Sequence, residues 1–121
     1  MKIEVSNSEV VDRATILQIK IERLKINRAD RDCMESELEE LIKIIERVGI
    51  GEDSDMFKRL KQVNEFLWNA VAEQKEWASY GVNCDAFGEA SMKVVQLNQN
   101  RYELKCTIDE ITKSELWEFK E

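Results

Sequence analysis

The chain has 121 residues, 43% hydrophobic and 36% charged, which fits one packed domain over residues 1–121 and argues against a disordered segment. It contains no His and no Pro, although about six prolines would be expected at average usage; without His, Ser-His-Asp and Cys-His nucleophiles, histidine general bases and His-ligated zinc are excluded. The net charge is −7, and residues 30–55 alone carry ten acidic groups against three basic ones, so the rest of the chain is neutral overall; such a patch repels phosphate backbones and speaks against nucleic acid as a partner.

Lys2-Ile3-Glu4-Val5 alternates and reads as a short strand. Ser6 to Glu9 is a capping box with Ser6 as N-cap. Val10, Ala14, Leu17, Ile21 and Leu24 follow at spacings of 4, 3, 4 and 3, a coiled-coil-like seam that Ile16, Ile19 and Ile26 widen. The register is lost near residues 28–30, where the spacing predicts a break with Asp30 as the next N-cap. Met34, Leu38, Leu41, Ile45 and Val48 form a second seam, ended by Gly49-Ile50-Gly51.

A third helix is expected after a cap at Asp53 or Ser54, with the seam Met56, Leu60, Val63, Leu67, Ala70, Gln74 and Trp77. This places Trp77 in the core and Trp68 just off the seam, against a second neighbour or a partner. Residues 80–83 read as a turn. A fourth helix starts near Asp85 with Phe87, Ala90, Val94, Leu97, Arg101, Leu104, Ile108 and Ile111 at heptad spacing. After Ser114 the period shortens toward two, so Leu116–Phe119 reads as an extended tail able to pair with Ile3–Val5. The expected fold is all-α, an antiparallel bundle of about four helices with short strand-like termini. No apolar run approaches a membrane span and no signal pattern opens the chain, so a cytoplasmic protein without membrane attachment is expected. Cys33, Cys84 and Cys106 are too scattered for a metal or redox site and read as small semi-buried thiols.

Arg101 is the most informative residue, because a guanidinium on an apolar seam is costly unless paired or wet. It has three outcomes: reaching solvent at a bundle edge, pairing with Asp12 (Glu9 in reserve), or binding an anion with Asn98 and Lys105, which lie one turn away on either side. The solvated edge is the plainest of these. A second set, Glu37-x-x-Glu40 and Glu52-x-x-Asp55, resembles the E-x-x-E…E-x-x-D signature of all-α nucleoside-triphosphate pyrophosphohydrolases of the MazG type, which implies Mg²⁺ held by these four carboxylates. It departs from that pattern in placing the second pair across a glycine-bounded loop, and the plainer reading is a solvated acidic face with no cofactor. Arg13, Lys20, Arg101 and Lys105 also suit chorismate-mutase-like chemistry, without the local pattern that it requires. Lys58-Arg59-x-Lys61 reads as the counterweight to the acidic loop.

Two blocks carry a wider resemblance. Residues 2–6 with 11–20 (VDRATILQIK), and Asn98-x-x-Arg101-x-x-x-Lys105-x-x-Ile108-Asp109 with Ser114 and Glu118-x-Lys120, resemble a family of short uncharacterised bacterial and phage proteins, a domain of unknown function. Leu67-Trp68 fits the middle of that pattern, and Ser8 departs from it where the family has glycine. The resemblance implies no activity but singles out Asp12, Lys20, Asn98, Arg101 and Lys105. The reading that the sequence favours is therefore a non-catalytic interaction module, a homo-oligomer or the binder of a protein partner, ahead of a Mg²⁺-dependent pyrophosphohydrolase or a small-anion site at Arg101.

Overall fold

The computed structural model describes residues 2–81, 83–113 and 117–120. The elements run β1 (Lys2–Val5), α1 (Asn7–Arg23), α2 (Arg28–Glu46), α3 (Asp55–Ala78), α4 (Asp85–Ile111) and β2 (Trp117–Lys120). The architecture is an all-α bundle of four helices. The two terminal strands pair antiparallel, Ile3 opposite Phe119 and Val5 opposite Trp117; Leu116, the first residue of the expected tail, lies outside the described residues.

Each helix begins at a polar cap. Ser6, Asn27 and Ser54 accept from the backbone N–H three residues on, and Cys84 does the same with its sulfur. The first interhelical break is earlier than the seam predicts. Leu24 is already extended and Asn27, not Asp30, is the N-cap, its Oδ1 accepting from Asp30 N at 2.8 Å. The lost apolar register marks where α2 is under way, whereas the cap chemistry marks where it starts. Gly49 closes α2 at φ +84°, a left-handed turn that disfavours a side chain.

α1 is the hub, packing against α2, α3 and α4. Val10, Val11, Ala14 and Leu17 meet Leu41 and Ile45 of α2, Phe57 and Leu60 of α3 and Ile108 of α4 in one buried cluster. α1 is only 17 residues, about 25 Å at 1.5 Å per residue, while α3 and α4 have 24 and 27 residues. The far half of the α3–α4 hairpin therefore extends past α1. It is held by buried Ala70 and Ala90, by Gln74 donating to Ser91 at 3.0 Å, and by the Lys93–Glu73 pair. Trp77 lies in this half, exposed and tilted against Tyr80 with ring centroids 5.6 Å apart. Its placement in the core is thereby corrected: the heptad continues, but the helix that would cover it has ended. The cysteines are also more open than expected, Cys33 and Cys106 being exposed and Cys84 half-buried. Among the described residues no helix is long and apolar enough to cross a membrane.

Candidate functional site

The polar residues that α1 buries lie mostly toward α4. Asp12 sits in the second turn of α1 and Arg101 in the third quarter of α4. Arg101 Nε donates to Asp12 Oδ1 at 3.0 Å, and one Nη of the same guanidinium donates to Oδ2. The carboxylate side chain is only 6% exposed and the guanidinium 30%. A two-point contact of this kind suits the planar fork of arginine. The hydrogen bonds to Asp12 hold the Arg101 pKa above its ordinary value; partial burial opposes this and the charges of Asp12 and Glu9 add to it.

A third element completes the cluster. Asn64 of α3 is buried and donates from Nδ2 to Asp12 Oδ1 at 2.9 Å and to Thr15 Oγ1 at 2.8 Å. Thr15 in turn donates to the carbonyl of Asp12 at 2.7 Å. One carboxylate therefore ties together three helices. The contacts continue along α1 and α4 in opposite directions, as antiparallel helices require. Glu9 accepts from Lys105 at 2.7 Å, and Asp109 accepts from the backbone N–H of Ser8 at 2.9 Å and its hydroxyl at 2.7 Å. Asn7 donates to Thr112 Oγ1 at 2.9 Å. Asp109 thereby places a negative charge against the N-terminal turn of α1, where the helix dipole favours one.

Of the five residues singled out in the sequence, the structure brings Asp12, Arg101 and Lys105 into this row. Asn98 lies one turn before Arg101, exposed on the wall of an adjacent cavity. Lys20 stands apart, two turns further along α1, with no ion pair among the described residues. Glu9 belongs to Lys105 rather than to Arg101.

The four carboxylates of the metal alternative do not converge. Glu37 is held by Arg13, Glu52 accepts from Gln18, Asp55 pairs with Arg59 along α3, and Glu40 faces solvent. Among the described residues no three carboxylate or thiol groups are gathered as a metal ion requires. The donor set thus does not fit Mg²⁺, and no step through it follows. In the basic cluster, Arg59 does offset the acidic loop through Asp55, but Lys61 reaches back to Glu22 at 2.7 Å.

Asn64, Thr15, Ser8 and Asp109 are participants to which the spacing argument gave no role. Asn64 had a signal: Phe57, Leu60 and Asn64 share one seam, and a polar residue there marks a buried hydrogen-bonding demand.

The model of a family of unknown function, DUF6165, matches residues 1–121. The chain belongs to that family. No curated protein matches it, and no solved structure does. In this DUF6165 chain the site is a three-helix clamp around Asp12.

Proposed function

We propose that the protein is a non-catalytic helical module that associates with a second copy of itself through the outer face of α4. The observation that carries this reading is a solvent-exposed apolar stripe. Met92, Val95 and Tyr102 are 75%, 70% and 63% exposed, and at 3.6 residues per turn they fall within about 80° of helix circumference. Ala90 and Ile108, which α4 buries, lie on the opposite side. α4 is therefore apolar on two faces, and the bundle uses one of them.

The surroundings of the stripe support the same reading. In a chain that is 36% charged, residues 94–102 hold one charge, Arg101, which is taken up by Asp12. Depletion of charge is what distinguishes interface cores from ordinary surface. Gln96 donates to Asn100 at 3.0 Å on the flank of the stripe, while Gln99, which donates to Glu103 at 3.3 Å, lies within the stripe as its one uncharged polar member between Met92 and Tyr102. A straight stripe at i, i+3 and i+10 packs against its own copy about a two-fold axis, as in a short coiled coil. The acid excess of residues 30–55 sits on α2 and the following loop, which do not pack closely on α4.

The test is molar mass in solution over a wide concentration range. A dimer is expected, and Val95→Glu or Met92→Glu should give a monomer with unchanged helix content. A wild-type monomer at all concentrations overturns the reading; a dimer that persists in both variants overturns the α4 face.

A further inference from the structure

Between α1, α3 and α4, on the side of Arg101 away from the core, lies a cavity of about 560 Å³. That volume falls in the range of small-molecule sites, which combine apolar walls with a few convergent polar groups. Its walls are Ile16 of α1 and Leu67, Trp68 and Val71 of α3. Arg101 and Asn98 close one end, next to Asn64, and Lys75 stands two turns beyond Trp68 along α3. Among the described residues no acidic side chain lines this cavity. Lys75 has no ion pair among the described residues.

The guanidinium of Arg101 has five N–H donors, and Asp12 takes one from Nε and one from a single Nη. Its remaining edge is held in place by the ion pair yet has no protein acceptor among the described residues. Asn98, at i−3, brings an amide to the same end. We infer that this cavity binds a small amphipathic monocarboxylate, its carboxylate received by the outer edge of Arg101 and by Asn98, its apolar body lying between Ile16, Leu67, Trp68 and Val71. The site is independent of the α4 stripe: Arg101 projects from the side of α4 opposite Met92.

Isothermal titration, with Trp fluorescence as a second readout, tests it with decanoate and 3-phenylpropionate as aliphatic and aromatic probes and decanol as the uncharged control. At least one acid should bind saturably, one per chain, with decanol at least about tenfold weaker, the cost of losing one charge-assisted contact of about 1.4 kcal/mol. Asn98→Asp, at an exposed position, sets a repelling charge beside Arg101 and should weaken the acid about tenfold or more without altering decanol. Val71→Trp fills the cavity and should abolish both. Absence of binding by either acid, equal binding of decanol, or wild-type affinity in both variants overturns the proposal.

Discussion

Asp12 and Arg101, 89 positions apart in the chain, form a two-point ion pair in which the acid is buried and the base keeps an edge in solvent. The asymmetry predicts unequal costs. Arg101→Met strands a carboxylate that cannot reach water and should lose about 3–5 kcal/mol, the cost of breaking a buried pair. Asp12→Ala lets the guanidinium swing outward and mainly leaves one Asn64 N–H unmatched, a loss of about 1–3 kcal/mol. The double variant should recover part of the Arg101→Met loss. Urea unfolding of the three chains measures this; a larger loss for Asp12→Ala than for Arg101→Met would contradict it.

The parts of this arrangement that were legible in the sequence are the local ones. Helix extents follow from apolar period and cap chemistry, both readable within a few residues, so Ser6, Ser54 and the start of α4 stand out. Arg101 is conspicuous because it interrupts an apolar seam. What spacing does not contain is the length of the neighbouring helix. Trp77 keeps perfect register on α3, but α1 stops short of it, so periodicity names the face without saying what covers it. Asn64 escapes for a related reason: Leu60 belongs equally to the seam through Met56 and Val63 and to the one through Phe57 and Asn64, and only packing on α1 chooses. Glu37, Glu40, Glu52 and Asp55 suggest a set by their spacing, yet each carboxylate that is engaged takes the nearest cation or amide, and solvent keeps the other.

Asn64→Asp should convert the clamp into a pH-sensitive element. The introduced carboxyl would stand against Asp12 Oδ1, where Nδ2 now donates at 2.9 Å. Two adjacent carboxylates raise the pKa of one of them in the folded state. The folded variant then holds a proton that the unfolded chain has released, so its stability is greatest at acid pH and falls as pH rises through the raised value. Thermal unfolding across the acid-to-neutral range should show a deficit relative to wild type that widens toward neutrality. A deficit independent of pH would mean that the introduced group turns away from Asp12.

Cys84→Ser should strengthen the fold. Cys84 is the N-cap of α4, its sulfur accepting from Phe87 N at 3.4 Å, while the other three helices start on Ser or Asn. Sulfur is a weak acceptor and a serine oxygen a good one. A gain of about 0.5–1 kcal/mol is expected, read as a higher urea midpoint with unchanged slope. Cys84→Ala separates the causes: it should fall at or below wild type. A loss in Cys84→Ser would assign the thiol a packing role instead.

Gly88→Ala tests both the helix and its outer face. Gly88 lies in the first turns of α4, and a Cβ built there meets nothing within 4 Å. Glycine in a helix interior costs about 0.5–1 kcal/mol relative to alanine through the freedom it loses on folding. The substitution should therefore raise stability by about that amount. Gly88 is also four residues before Met92 and so extends the exposed stripe by one turn. Because the unfolding midpoint of a self-associating chain depends on its concentration, the comparison is made with Val95→Glu as background, in which the copies are apart. The full gain should appear there. If it appears only in the monomeric background and is reduced in the wild-type chain, the partner copy's backbone approaches α4 at Gly88, which places the two-fold axis at this end of the helix; equal gains in both place it toward Tyr102.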